Sequence, residues 1–96
     1  MRGLLSPPSE FDPTAAWELD PRVAIRPEPF GALAYHYGNR RLTFLRAPEL
    51  VDLVRDLGRY ESVDAALASS PIAASRWPTF RTALASLAGS EMIRAR

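Results

Sequence analysis

The side chains that could carry out acid–base or nucleophilic chemistry are few in this chain of 96 residues. It has one histidine, His36, and no cysteine, so a thiolate nucleophile, a disulfide and a cysteine-ligated zinc site are excluded. No serine lies in the Gly-x-Ser-x-Gly sequence of a nucleophile elbow. His36 stands in a predicted strand, on the less apolar of its two faces, which is typical of a structural residue. Because no nucleophile–base pair is available, an independent enzyme is the weakest functional hypothesis.

Two acidic residues, Asp52 and Asp56, lie four residues apart on a predicted helix, a spacing that can serve acid–base work or bind a metal. They are interleaved with Arg55 and Arg59 on the face opposite the leucines, which is typical of a solvated surface of mixed charge. The five glycines form no phosphate-binding run. We therefore expect no catalytic residue, no metal ligand and no cofactor in this chain.

Arginine supplies all twelve basic residues, and the net charge is only +1. Such a near-neutral balance gives no general electrostatic reason for binding nucleic acid. The arginine fork, however, pairs bidentately with carboxylates. Arg41, Arg46 and Arg81 are therefore candidates to meet the carboxylates of an acidic peptide, although charge alone favours a solvated rim, which is usual for surface arginine.

Length and hydrophobicity predict one small domain. Hydrophobic residues make up 47% of the chain and charged residues 24%, an ordinary balance for a globular protein. The apolar start stops at Ser6, too early for a signal-peptide core, and no run approaches the ~20 apolar residues that span a membrane. We expect a cytoplasmic protein with no membrane partner. Residues 1–20 are predicted to be a partly ordered arm, pinned by Trp17 and Leu19, ahead of a domain at residues 21–96.

Three short strands are predicted after the arm, at residues 23–26, 32–37 and 41–45. Glycine first in Gly38-Asn39 favours a two-residue primed turn between the second and third strands. Side chains alternate along a strand, so this turn sorts the hairpin into two faces. One face holds the large apolar residues expected in the core, namely Leu33, Tyr35, Leu42 and Phe44. The other face holds Ala32, Ala34, His36, Arg41, Thr43 and Leu45.

Three helices are predicted after the strands. The first begins at Pro48 and carries leucine and valine at three- and four-residue spacing. Ser62 is a plausible N-cap of the second, and the third begins near Ser75 and ends at Gly89. A small antiparallel sheet cannot cover its own apolar face, so the helices must pack on it. The sequence therefore predicts an α+β fold, a three-stranded antiparallel sheet followed by three helices, of winged-helix-like form.

The third strand is predicted to leave one side unpaired. In a sheet ordered by successive hairpins, its inner side pairs with the second strand and its outer side is a free edge. Free edges template extended peptides, so proteins blunt them, cover them or use them for binding. This edge is a candidate binding site.

The segment from Arg22 to Leu45 resembles the PqqD-like family of peptide-recognition proteins. Two runs carry the likeness, Arg-Pro-Glu-Pro-Phe-Gly-Ala-Leu at residues 26–33 and Gly-Asn-Arg-Arg-Leu-Thr-Phe-Leu at residues 38–45. Both look specifically like the chaperones of mycofactocin biosynthesis. The helical part is consistent with them, through Ala-Pro-Glu-Leu-Val from Ala47 and Ser-Glu-Met-Ile from Ser90, so that the likeness covers about residues 11–93.

This resemblance implies a recognition element for ribosomally made, modified peptides, with a winged-helix arrangement that is not used on DNA. The leader of the precursor peptide would add as a strand to the third strand and lie against the third helix. The domain would then present the peptide to a radical S-adenosylmethionine maturase. Carried onto this sequence, the site is Arg41, Leu42, Thr43, Phe44, Leu45 and Arg46 on the strand, with Arg81, Leu84, Ala85 and Ala88 on the helix.

Two other functions stay open. A winged-helix DNA-binding domain should carry several basic or amide residues on its recognition helix, and the third helix offers only Arg81 and the flanking Arg76. A scaffold subunit would bind the maturase but not the precursor. The sequence also leaves open a monomer or a dimer that exchanges the arm of residues 1–20.

Overall fold

A computed structural model describes residues 11–96 of the protein. In chain order the strands are β1 (Trp17–Leu19), β2 (Val23–Glu28), β3 (Gly31–His36), β4 (Leu42–Leu45) and β5 (Ile93–Ala95). The helices are α1 (Pro48–Asp56), α2 (Val63–Ser69) and α3 (Trp77–Gly89), with single 3₁₀ turns at Leu57–Arg59 and Ala74–Arg76. The predicted α+β fold is confirmed, because an antiparallel sheet in the order β2-β3-β4 precedes three helices.

The pairing register of β3 and β4 is the predicted one, with Tyr35 opposite Leu42. The predicted two-residue turn is wrong, because the turn comprises residues 37–40 and its left-handed residue is Arg40, with φ 63°. This conformation is held from both sides. The Arg40 N–H donates to the His36 carbonyl at 2.7 Å, and the Asn39 Oδ1 accepts from the Arg41 N–H at 2.9 Å. One backbone and one side-chain hydrogen bond thus hold Arg40 in a left-handed conformation that glycine usually adopts.

The expected core face of the hairpin is also wrong, because the small side chains face inward. Ala32 and Ala34 are 0% and 1% exposed, whereas Leu42 and Phe44 are 54% and 51% exposed. The leucines and valines of α1 supply the core beside the sheet, and small residues on β3 let the helix approach closely. Size alone therefore did not mark the buried face.

Strand β2 runs two residues beyond its predicted end and includes Pro27. The Tyr37 N–H donates to the Arg22 carbonyl at 2.9 Å, so the backbone groups of alternate residues from Arg22 onward face β3. Pro27 falls in the other set, where its missing N–H costs no ladder hydrogen bond. The chain then turns at Gly31, whose φ of 146° and lack of a Cβ bring it against the Leu45 carbonyl.

The three helices begin and end close to the predicted residues. Pro48 and Pro78 occupy first-turn positions of α1 and α3, and the Ser62 hydroxyl accepts from the Ala65 N–H at 2.9 Å to cap α2. After α3 the left-handed residue is Glu91, with φ 66°. The Met92 N–H donates to the Leu87 carbonyl at 2.8 Å, which completes a Schellman ending.

Strands β1 and β5 were not predicted, since three residues are too few for a visible alternation. They pair antiparallel, with Glu18 opposite Arg94 and a 2.7 Å ion pair between them. Residues 1–10 of the predicted arm lie outside the described residues. Whether the arm exchanges between copies stays a prediction. Within residues 11–96, no helix combines the length and apolarity that membrane crossing requires.

Candidate functional site

Within residues 11–96, strand β4 has a neighbour on one side only, because it stands at the end of the β2-β3-β4 sheet. The His36 N–H donates to the Arg41 carbonyl at 2.9 Å, which identifies this pair as a hydrogen-bonded one. Hydrogen-bonded pairs recur at every second residue of an antiparallel ladder. The backbone of Thr43 and Leu45 therefore faces β3, and the backbone N–H and C=O groups of Leu42 and Phe44 point away from the sheet.

The opposite edge of the sheet, β2, is a poorer template. By the same alternation its outward positions are Val23, Ile25 and Pro27. Pro27 has no N–H to offer, and a proline on an edge strand is a common device against unwanted pairing. The sheet is therefore blunted at β2 and open at β4.

A shallow, largely apolar cavity of about 160 Å³ lies where β4 runs into α1 and faces α3. Its walls come from both sides of this junction. The lining residues are Arg46, Ala47 and Leu50 on one side and Arg76, Thr79, Phe80 and Ala83 on the other. The cavity, called here the β4–α3 groove, continues the line of the open edge toward the third helix.

The arginines around β4 differ in whether they already have a partner. Arg76 pairs with Glu49 at 3.2 Å, and its guanidinium lies 5.1 Å from the centre of the Phe80 ring. The pKa of Glu49 is lowered, first by its own backbone N–H at the start of α1 and then by Arg76. Arg41 and Arg46 are exposed, and within residues 11–96 neither has a carboxylate within 4.0 Å. These two guanidinium groups remain available to acidic groups of a partner.

The residues predicted on α3 lie away from the groove lining. Arg81 pairs with Asp64 of α2 at 2.9 Å, and Leu84 is 0% exposed in the core. Ala85 is half-buried, and Ala88 lines a separate cavity beside Trp17. The structure thus brings Arg41–Arg46 together along one edge but turns a different stripe of α3 toward it. The contribution of the predicted helix residues to peptide binding stays a prediction.

The stripe that does face the groove was missed from sequence. Thr79, Phe80 and Ala83, together with Arg76, follow the three- and four-residue spacing of one helix face. Phe80 is 5% exposed and packs in the core as well as lining the groove. The sequence signal for this stripe was the helical spacing that places residues 79 and 83 beside Phe80. Assigning Phe80 to the core does not use that spacing.

The turn that leads into β4 is anchored by a buried polar cluster. His36 is 1% exposed, and its Nδ1 accepts hydrogen bonds from the Gly38 and Asn39 N–H groups at 2.9 and 3.1 Å. Its proton is therefore on Nε2, which lies 3.7 Å from Asp20 Oδ2. Hydrogen bonds from the Arg22 guanidinium lower the pKa of Asp20 to about 2. His36 therefore has a structural role, and Asp20 was not predicted.

Comparison with known proteins adds a family assignment to this geometry. The model of the peptide chaperone MftB family matches residues 16–94, which includes all five strands and all three helices except the last residue of β5. The chain belongs to the peptide chaperone MftB family. The resemblance seen in the strand region is thereby confirmed over most of the chain.

Curated members of the MftB family align with this chain over 78–94% of their own length. A peptide chaperone MftB of Mycobacterium ulcerans is 40% identical over 102 residues, covering 97% of this chain and 94% of the relative. The protein of the same name from Mycobacterium tuberculosis is 42% identical over 85 residues, covering 88% and 78%. That of Mycolicibacterium smegmatis is 40% identical, covering 86% and 81%. No solved structure was found to match the chain.

Proposed function

We propose that this protein is a cytoplasmic peptide chaperone and not an enzyme. It binds the leader of a ribosomally made precursor peptide by strand addition and presents it to a radical S-adenosylmethionine maturase in mycofactocin biosynthesis. The observation that carries the proposal is the open edge of β4, where the backbone groups of Leu42 and Phe44 point outward. The relatives are named peptide chaperones, which supports this reading of the edge.

Strand addition uses the backbone, so it suits an edge whose outward N–H and C=O groups have no neighbour. An extended peptide that pairs with Leu42 and Phe44 turns alternate side chains to the two sides of the sheet. At the Arg46 end of β4 it reaches the β4–α3 groove, where Thr79, Phe80 and Ala83 offer an apolar wall. Backbone pairing then supplies affinity, and the groove supplies selectivity for particular side chains.

Charge favours an acidic leader. Arg41 and Arg46 lie at the two ends of β4, exposed and without a carboxylate partner among residues 11–96. Charge-assisted hydrogen bonds from arginine to carboxylate are stronger than neutral ones and guide the approach of the partner. Binding of the leader is therefore expected to weaken as salt is raised.

The DNA-binding alternative receives less support. A recognition helix needs basic side chains that are free to contact phosphates and base edges. The two arginines at α3 are both engaged, Arg76 with Glu49 and Arg81 with Asp64. The remaining exposed positions of the helix are small or neutral.

The proposal is tested by calorimetric titration with a synthetic precursor peptide, a leader-truncated peptide serving as the negative control. Leu42→Pro removes an outward N–H and places a ring on the edge without removing a hydrogen bond to β3. We expect it to weaken leader binding at least tenfold. The matched Leu42→Thr variant changes the same side chain but keeps the N–H, and should bind within about threefold of the wild type.

Circular dichroism and urea unfolding of both variants confirm that each is folded. If Leu42→Pro binds as tightly as Leu42→Thr, the peptide does not add to β4. If the wild-type protein does not distinguish the full precursor from the leader-truncated peptide, recognition of the leader is refuted altogether.

A further inference from the structure

The exposed side of the sheet carries a cluster of large apolar side chains. It is called here the outer face and consists of Phe30, Leu33, Tyr35, Tyr37, Leu42 and Phe44. Two aromatic pairs order it, because the rings of Phe30 and Phe44 meet edge to face at 5.7 Å and those of Tyr35 and Tyr37 at 5.0 Å. A shallow cavity lined in part by Leu33, Tyr35 and Tyr37 lies between the strands. The face is thus a shaped surface with organised aromatic contacts.

The large hydrophobic side chains that are exposed to solvent lie together on this face. Within residues 11–96, the exposed large hydrophobic residues are Phe30, Tyr37, Leu42 and Phe44, with exposed fractions of 40%, 66%, 54% and 51%. All four belong to the outer face. Scattered single apolar residues on a surface need no explanation, but a contiguous apolar patch marks an interaction site. Aromatic residues are also the type enriched at the centres of protein interfaces.

The charges beside this face indicate which kind of partner fits it. Arg40 and Arg46 are exposed at the two ends of β4, and among the described residues neither has a carboxylate within 4.0 Å. The Arg46 guanidinium lies 5.6 Å from the centre of the Phe44 ring, so charge and apolar surface are contiguous. Glu28, a carboxylate of β2 at this side of the sheet, already pairs with Arg26 at 2.8 Å.

The same charges disfavour a second copy of this chain as the partner that binds the outer face. Face-to-face packing of two outer faces would bring two sets of unpaired arginines to one interface, and the described residues of the outer face include no carboxylate to receive them. Like charges that are juxtaposed at an interface oppose association. An apolar patch edged with carboxylates on a different protein would satisfy both the aromatic centre and the arginine rim.

We infer that the outer face docks a folded protein whose contact patch is apolar and edged with carboxylates, and that this partner is the maturase. The identity of the partner rests on the proposed function; the existence of the docking surface rests on the exposed aromatic cluster. A peptide at the β4 edge and in the β4–α3 groove leaves Phe30 and Tyr37 uncovered, since neither belongs to β4 or lines the groove. The two partners would therefore bind side by side on adjoining surfaces.

The inference is tested by measuring two affinities for each variant, one for the purified maturase and one for the precursor peptide. The double variant Phe30→Ser/Tyr37→Ser removes two exposed rings outside β4, and Arg40→Glu reverses one charge of the rim. We expect each to weaken maturase binding at least tenfold and to leave peptide affinity within about twofold. Arg55→Glu, the same charge change on the exposed side of α1, is the matched control and should affect neither affinity.

The outcomes separate this inference from the proposed function. Full maturase affinity in Phe30→Ser/Tyr37→Ser, or no maturase binding by the wild-type protein, overturns the docking surface even if peptide binding stands. Loss of peptide affinity in that variant would assign the face to the peptide and also overturn it. A wild-type dimer that the double variant dissociates, seen by sedimentation, would show a second copy on this face. Maturase binding through the face without any peptide binding would refute the proposed function alone.

Discussion

Asp20 is the residue whose environment changes its chemistry most. Its side chain is buried, accepts two hydrogen bonds from the Arg22 guanidinium and one from the Arg22 N–H, and faces His36. A carboxylate that accepts several hydrogen bonds favours the charged form, and the pKa of Asp20 falls from 3.8 to about 2. Because Asp20 and His36 together fix the entry to the β3–β4 turn, the ion pair of Asp20 with Arg22 supports the position of the peptide edge.

The Asp20→Asn variant is expected to lose about 1.5–3 kcal/mol of unfolding free energy at neutral pH, the usual worth of hydrogen bonds to a buried charge. The sign of the pH dependence follows from the lowered pKa. Asp20 stabilises the fold above pH 3.8, and this contribution is lost as pH falls toward 2. Urea unfolding at a series of pH values should therefore show the gap between wild type and variant narrowing below pH 4. A gap that stays constant to pH 2.5 would contradict the ion pair.

Glu91 adopts a backbone conformation that costs free energy. It takes φ 66° at the end of α3, where glycine is the favoured residue. We expect Glu91→Gly to raise the unfolding free energy by about 0.5–1 kcal/mol, because the strain of a left-handed side-chain-bearing residue is removed. Ser90→Gly, at the neighbouring φ of −92°, is the control and should be neutral or destabilising. A Glu91→Gly variant less stable than the wild type would show that the contact with Asn39 matters more.

At the scale of elements, the β3–β4 hairpin shows what the sequence could and could not predict. The register followed from centring the turn on Gly38-Asn39 and was correct to the residue, although the turn itself is longer. The choice of buried face was reversed, because Ala32 and Ala34 leave room for α1 whereas Tyr35 and Phe44 would not. Hydrophobic size is a property of each residue, but the space under the sheet depends on a helix that comes later in the chain.

Which face of the β3–β4 hairpin is buried can be tested by changing side-chain size on each face in turn. Ala34→Leu inserts three carbons into a site that is 1% exposed and should cost about 1–3 kcal/mol of stability through overpacking. Leu42→Ala, on the exposed side, should change stability by no more than about 0.5 kcal/mol. Urea unfolding midpoints of the two variants measure the contrast. A larger loss for Leu42→Ala than for Ala34→Leu would return the large residues to the core.

The helices were more predictable than the strands because their signals are local. Ser62, Pro48 and Pro78 act within one turn of their own position, so their roles could be assigned without knowledge of the fold. The pairing of β1 with β5 joins residues that are more than seventy positions apart, and no local sequence pattern predicts it. The same limit hides the partner of Arg81, since Asp64 reaches it only through the packing of α2 on α3.

At the scale of the whole molecule, folding separates charges that the composition leaves mixed. A net charge of +1 suggests no preferred partner. The described structure pairs six arginines with carboxylates, namely Arg22, Arg26, Arg59, Arg76, Arg81 and Arg94. Arg40, Arg41 and Arg46 have no such partner there and lie beside the open edge, whereas Arg55 and Arg96, which also have none, lie elsewhere on the surface. The candidate site could thus be located on the third predicted strand from sequence, but its charge and its adjoining apolar surface required the fold.

The most direct test of strand addition is amide hydrogen exchange along β4, measured by NMR with and without the precursor peptide. In the free protein the Thr43 and Leu45 amides should already be protected by β3, whereas the Leu42 and Phe44 amides should exchange freely. Peptide binding is predicted to slow amide exchange at Leu42 and Phe44 by at least tenfold. Exchange at Thr43 and Leu45 should stay nearly unchanged. Saturated binding that leaves the Leu42 and Phe44 amides unprotected would contradict a peptide strand at this edge.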